Sequence, residues 1–429
     1  MDEAGVRVAI EAAGSGIWLP SRFEGAPMAT IELVDLIELP GAWIAVGESD
    51  GVVVVAPLIV HGNEVHRAVP GDGAASGLLS VLAAGASGSL TADRYVPVIP
   101  LGGTERAMGV DQSNESVVVG ERVVVKLFPR TRHGPQPGLD LPAHLAAVGF
   151  EEIPTPMGSV VWRGDTLIAS VTAFVPDARD GWAWCVDDVE EACACAVWGD
   201  ADAHAVAIGG LLARLHRALA TPSPVFAAPV LDAESNRVAA WRAAAVVMLE
   251  QALAATSGAE GARLLALAPR ARDVIARLEG IEYTPVMRIH GDLHVGQVLR
   301  TGGGSLFVND FDGNPLASGT RTTPDAPARD VVAMSCAIDH VGRVVARRRP
   351  GDADVVAAWA ARSRAAFLDA YREGLGDRRE LFDERLLGPF EVAQEAHEFL
   401  YAARYLPRWL YVPDGVMPVV LDRWAPRLT

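Results

Sequence analysis

The sequence predicts an α+β chain of two lobes, and three observations predict it. Up to about residue 175 the chain is built of short Val- and Ile-rich runs separated by Gly and Asp turns. From about residue 182 onward apolar residues recur at the 3.6-residue spacing of helices. Between them Val175-Pro-Asp-Ala-Arg-Asp-Gly181 is polar and turn-rich, which suits a hinge between a β-rich and a helical lobe. With 429 residues there is room for two or three domains, and the expected divisions are 1–95, 96–178 and 179–429.

Residues 1–95 read as a small α+β cap. Gly16–Leu19, Ala42–Val46 and Gly51–Ala56 are strand-like, Ser49-Asp-Gly51 is a hairpin turn, and Ala74–Leu90 is a helix. In 96–178, Ser116–Gly120 and Arg122–Leu127 flank a Gly120-Glu121 turn. Asp140–Ala147 can form a helix, and Ser159–Trp162 and Thr166–Phe174 add strands. Helical spacing then marks Ile208–Leu219, Ala239–Ala254, Arg329–Arg348, Val355–Glu373 and Gly388–Tyr405. Among them lies an extended stretch, Val286–Asp312, with a turn at Gly302–Gly304.

The charge balance, 37 Lys+Arg against 54 Asp+Glu for a net −17, argues against nucleic acid or an acidic membrane as a partner. No obligate protein partner is evident. The longest apolar run, Val52–Val60, is too short to span a bilayer, and Met1-Asp2-Glu3 does not open a secretory signal. Cys185, Cys193, Cys195 and Cys336 have no paired metal spacing, so reduced thiols in a cytoplasmic protein are expected. Of the 37 basic residues 36 are arginine, and Lys126 is the sole lysine. A lysine that survives where arginine has replaced all others points to chemistry that a guanidinium cannot do.

The chemistry concentrates in His290-Gly-Asp-Leu-His-Val-Gly-Gln297 and Phe307-Val-Asn-Asp-Phe-Asp-Gly313. Phosphoryl transfer needs a carboxylate to orient the attacking hydroxyl and oxygen ligands to hold Mg²⁺ at the phosphates. Asp292 lies five residues before Gln297, and Asp310-Phe311 follows. That spacing matches a catalytic Asp, a metal-binding amide and a metal-binding Asp. Upstream, Val123-Val-Val-Lys126 is a strand closed by the lone lysine, suited to the ATP phosphates, with Asp140 in the next predicted helix as its carboxylate. Asp111-Gln-Ser-Asn-Glu-Ser116 stands where a phosphate loop is expected, so Ser113, Asn114, Ser116 and backbone amides become the phosphate contacts. Two other readings stay open on these residues alone: a His-x-Asp-x-His metal-dependent hydrolase and a non-catalytic nucleotide or sugar sensor.

These residues resemble the aminoglycoside phosphotransferase-like kinases, whose signature His-Gly-Asp-x-His-x-x-Asn is departed from only at Gln297. Val124-Val-Lys-Leu-Phe128, Phe174-Val-Pro176, Gly181-Trp182 and Asp310-Phe-Asp-Gly313 look more narrowly like bacterial maltokinases, over roughly residues 100–412. The resemblance implies a bilobal, eukaryotic-protein-kinase-like fold with an N-terminal cap, a β-rich N-lobe and a helical C-lobe. It implies ATP and Mg²⁺ as cofactors. Lys126 and Asp140 would then serve the phosphates, Thr172, Phe174 and Val175 the adenine, Asp292 the base, and Gln297 and Asp310 the metal.

At the acceptor end the maltokinase pattern breaks. Asp312 replaces a longer carboxylate, and Gln394-Glu-Ala-His-Glu398 with Tyr401 loses an aromatic ring and a carboxylate. A disaccharide pocket tolerates such losses poorly. The pattern resembles the actinobacterial glucosamine kinases, which implies glucosamine as acceptor and glucosamine 6-phosphate as product, with maltose to maltose 1-phosphate the alternative. Asp292, His294, Asp312, His397, Glu398, Tyr401, Trp409 and Trp424 are the expected sugar contacts.

Overall fold

The computed structural model describes residues 1–19, 30–109, 114–134, 137–313 and 323–424. They gather into two compact units, Met1–Pro176 and Asp177–Thr429.

The first unit opens with α1 (Glu3–Ala13), capped where Gly5 N–H donates to the Asp2 carboxylate at 2.9 Å. Gly16–Leu19, strand-like in sequence, instead follows a 3₁₀ turn over Gly14–Ile17. Packing overrides local propensity there: Ile17 and Trp18 are buried, and the Trp18 ring lies 2.8 Å from where a Cβ on Gly47 would sit. Next come β1 (Glu32–Leu39), β2 (Ala42–Ser49), β3 (Val52–His61) and β4 (Glu64–Arg67), an antiparallel meander. Asp50 and Gly51 take positive φ, 49° and 74°, as a tight hairpin with the strands' twist requires. Helix α2 (Ala74–Ala84) stops short of Leu90 because Gly85 turns left-handed and its N–H closes on Val81 O.

There follow β5 (Ala86–Ser87), β6 (Leu90–Arg94), β7 (Glu105–Ala107), β8 (Glu115–Val119), β9 (Val123–Leu127) and β10 (Arg130–Thr131). Helix α3 (Pro137–Ala147), β11 (Pro156–Trp162) and β12 (Thr166–Ala173) complete the unit. Strand β10 joins β3, and the others form a seven-stranded sheet in the order β5-β6-β11-β12-β9-β8-β7. This sheet draws strands from both sides of residue 95. One apolar cluster joins both sheets to α2, uniting Ile44, Val53 and Val55 with Leu78, Leu82, Val123, Val125, Leu127 and Trp162.

The second unit is mainly helical. Its elements in chain order are α4 (Gly181–Cys195), α5 (Gly199–Leu219), β13 (Val230–Glu234), α6 (Ser235–Ala255), α7 (Gly258–Ala276), β14 (Tyr283–Met287), β15 (Val298–Arg300), β16 (Leu306–Val308), α8 (Ala328–Arg348), α9 (Ala353–Leu375), α10 (Leu387–Tyr405) and α11 (Tyr411–Trp424). Every helix read from spacing lies within one of these. The helical spacing left α1, α4, α7 and α11 unassigned. Pro269 lies inside α7 and Pro418 inside α11, so a residue that ordinarily ends helices conceals two of them. Helix α8 is the hub, with buried residues around nearly its whole circumference. Among the described helices one, α6, is long and apolar enough to cross a membrane by length and composition. It buries Val238, Trp241, Ala245, Leu249 and Ala252, the last three within a cluster shared with α7, α10 and α11. The four cysteines are free thiols, Cys185 and Cys336 buried.

Candidate active site

In the first unit the pleat sorts β9 into two faces. Val123, Val125 and Leu127 join the apolar cluster beneath α2, so Val124 and Lys126 lie on the opposite face. Lys126 is flanked in register by Ser116 of β8 and Ser170 of β12, and Val124 by Val118 and Thr172. Cation, two hydroxyl residues and a threonine thus share one side of the sheet. The half-buried Lys126 ammonium lies 5.7 Å from the Phe128 ring centroid. The strand pair depends on its turn, where Gly120 and Glu121 take φ 60° and 52°. Phe174 N–H donates to Arg122 O at 2.8 Å, which fixes the exit of β12 toward Val175. Asp140 occupies the first turn of α3, and Asn114 directly precedes β8. Ser113 lies outside the described residues.

In the second unit the loop between β14 and β15 carries His290–His294. Gly291 bends it at φ 80°. Asp330, in the first turn of α8, receives the His290 N–H at 2.8 Å on one oxygen and the Gly291 N–H at 2.9 Å on the other. Behind it His216 Nε2 approaches the same carboxylate at 3.2 Å, and His216 Nδ1 meets the Tyr371 hydroxyl at 2.7 Å. Burial pushes the Asp330 carboxyl up, but hydrogen bonds from His216 and the loop outweigh it and hold the group below the ordinary carboxylate value. The loop is therefore anchored to a buried anion.

His290 itself is a latch. Its Nε2–H donates to Asn309 O at 2.9 Å, while Nδ1 accepts the Asp292 N–H at 3.3 Å. Both ring nitrogens are spent on the backbone, which leaves no lone pair for a metal and removes the His-x-Asp-x-His reading. Among the described residues no group of three or more His, Cys, Asp or Glu is arranged to hold an ion. His294 Nδ1 accepts the Gly296 N–H at 3.1 Å.

With His290 tied down, Asp292 is set among carboxylates. Burial pushes its carboxyl up to about 6, and the charges of Asp310, Asp330 and Glu398 add to the rise. Such a group is poised to take a proton near neutral pH. Glu398 and Asp310 also act on His294, so α10, the Asp292 loop and the end of β16 converge electrostatically. Asp310 holds φ 66°, a left-handed conformation that Asp tolerates better than most side chains. Its neighbour Asn309 donates its N–H to Gln297 O at 2.8 Å, which ties together the two segments expected to hold metal. One amide oxygen and one carboxylate are hard donors that suit Mg²⁺, which takes one or two carboxylates and leaves its other positions to water and phosphate.

The acceptor residues divide into two groups. Glu398, half-buried on α10, accepts from Gln394 Nε2 at 3.2 Å. One turn earlier Glu395 lies 2.9 Å from His340 Nε2. Burial alone would lower the His340 value, but the Glu395 charge and hydrogen bond raise it to about 9 and keep a buried imidazolium. Trp409 lies against Trp182 and His340, with centroids at 5.5 and 6.4 Å. His397 is half-buried on α10, Asp312 follows the buried Phe311, and Tyr401 is exposed with its ring 5.5 Å from Tyr405. Trp424 is committed to packing. Its indole N–H donates to the buried Glu391 at 2.7 Å, and its ring covers Gly388.

Sequence reading missed Asp330, His216 and Tyr371, and Asn309, though inside a motif that it singled out, was given no role because it acts through its backbone carbonyl. Asp330 carried one weak signal, an acidic residue opening a predicted helix, and His216 and Tyr371 carried none.

No model of a known protein family matches the chain. Individual proteins do. A glucosamine kinase of Streptacidiphilus jiangxiensis is 42% identical over 426 residues, covering 94% of this chain and 95% of the relative. One of Mycolicibacterium smegmatis is 37% identical over 374 residues, covering 83% and 90%. A solved glucosamine kinase in complex with glucosamine, ADP and inorganic phosphate is 39% identical, covers 98% of this chain and 99% of its own, and has a TM-score of 0.81. With close similarity along almost its whole length, sequence and fold alike, the chain belongs to the glucosamine kinase family.

Proposed function

We infer that the protein transfers the γ-phosphoryl group of ATP to a hydroxyl of glucosamine, and that the product is glucosamine 6-phosphate. The observation that carries this reading is a largely buried Asp292 on a loop anchored to Asp330, with the Gln297 and Asn309-Asp310 segments tied together, in a chain of the glucosamine kinase family. Asp292 accepts the proton of the attacking hydroxyl and aligns its oxygen with the phosphorus. Lys126 neutralises ATP phosphate oxygens, with Asp140 as its carboxylate and Asn114, Ser113 and Ser116 as phosphate contacts; Thr172, Phe174 and Val175 receive the base. Gln297 and Asp310 would hold Mg²⁺, which supplies charge neutralisation at the phosphates. Catalysis is then positioning and electrostatics more than covalent chemistry.

Glucosamine differs from glucose by a cation at neutral pH, and a chain of net charge −17 favours a cation. A half-buried carboxylate at Glu398 suits the sugar ammonium, with Asp312, His294, His397 and Tyr401 toward its hydroxyls and Trp409 as an apolar wall. ATP, Mg²⁺ and reduced thiols suit a reaction in the cytoplasm.

Phosphorus NMR of the purified product tests the position of transfer. Coupling of the phosphorus to two methylene protons is expected for the 6-phosphate. Coupling to the single anomeric proton contradicts it.

A further inference from the structure

Strand β15 has three residues and pairs with the three of β16, far too little to hold itself in place. Yet Gln297, immediately before it, must present an amide oxygen at a fixed angle if it is to ligate an ion. What holds the segment is α4. At one end Gly181 presses onto Val295 so closely that a Cβ would lie 1.8 Å from its carbonyl oxygen. In the middle the Trp184 indole N–H donates to Val298 O at 3.0 Å. At the far end Arg179, just before α4, and Arg300 exchange both backbone hydrogen bonds at 2.9 Å.

The Arg300 side chain closes the grip. Its guanidinium forks onto Asp188 of α4, Nη2 to Oδ1 at 3.0 Å and Nη1 to Oδ2. Nη1 also donates to His204 Nε2 of α5 at 2.8 Å. An imidazole that accepts there carries its proton on Nδ1, and that nitrogen faces Asp188 at 3.2 Å, so the triad is closed. The guanidinium carbon lies 4.5 Å from the Trp184 ring centroid. Both partners are largely buried, with Arg300 and Asp188 side chains 20% and 17% exposed. A bidentate fork combined with ring stacking is geometry that an ammonium does not reproduce.

We propose that Arg300, held by Asp188, His204 and Trp184, is a positioning residue that sets the presentation of Gln297 to the metal ion of the nucleotide. This rests on Gln297 being a ligand, and the experiment separates the two. Mn²⁺ binding is followed by electron paramagnetic resonance on the full chain with ADP, for wild type, Gln297→Ala, Arg300→Gln and the double variant. Arg300→Gln is expected to weaken Mn²⁺ about tenfold, the scale of outer-shell losses at metal sites. Metal-free ADP binding and the KM for glucosamine stay unchanged, and the double variant binds Mn²⁺ no more weakly than Gln297→Ala. Wild-type Mn²⁺ affinity in Gln297→Ala overturns the ligand reading and, with it, this one. Weakened Gln297→Ala with unaffected Arg300→Gln, or additive losses in the double variant, overturns the positioning role alone. If Arg300→Gln fails to fold, Asp188→Asn and Arg300→Lys take its place with the same expectations.

Discussion

Asp292→Asn is expected to lower kcat by about three orders of magnitude, within the range for loss of a positioned general base, while ADP affinity stays near wild type. The raised carboxyl gives this prediction two further handles. A base must be ionised, so wild-type kcat/KM is expected to fall about tenfold per pH unit as pH drops below about 6, the value to which burial pushes Asp292. The stability sign runs the other way. A carboxyl raised from 3.8 to about 6 stabilises the fold below its unfolded value, and that contribution is lost as pH rises through 6. An amide at this position does not titrate and has no such loss, so the Asp292→Asn variant should melt no lower than wild type at neutral pH. Thermal melts and a pH–rate profile check both; a variant that retains wild-type turnover removes Asp292 from the chemistry.

Lys126→Arg carries the second large effect. It keeps the charge and changes only its shape, in a chain where arginine serves at all 36 other basic positions. A planar fork on a strand flanked by Ser116 and Ser170 cannot place one compact cation where the ammonium sits. A loss of about 100-fold in kcat/KM for ATP is expected, comparable to losing one transition-state donor. Steady-state kinetics with varied ATP measures it, and wild-type kinetics would mean that the lysine survives by chance.

Both residues were legible in sequence because each sits in a contiguous signal: a Val-rich strand closed by the lone lysine, and an Asp spaced from a Gln and a second Asp. What could not be read was whatever the fold brings together from afar. Asp330 meets Gly291 across 39 residues, and Asp188 meets Arg300 across 112. Alone, each of these acids looks like an ordinary charge near a helix end or on its surface. The His290 latch also had to be seen to be read, since a ring with both nitrogens bonded to backbone has the same letter as a metal ligand. Architecture shows the same division. Strand pairs with Gly or Asp turns were visible, whereas α7 and α11 run through prolines that helix interiors tolerate only when packing compensates. At Gly16–Leu19 burial of Trp18 decided the local conformation against propensity.

Coupled measurement of ADP release tests the central claim most directly, with the purified protein, ATP and Mg²⁺ offered glucosamine, glucose, maltose or kanamycin. The highest kcat/KM is expected with glucosamine, with glucose well behind because it lacks the ammonium that Glu398 would meet. Equal or better turnover of maltose would contradict the account.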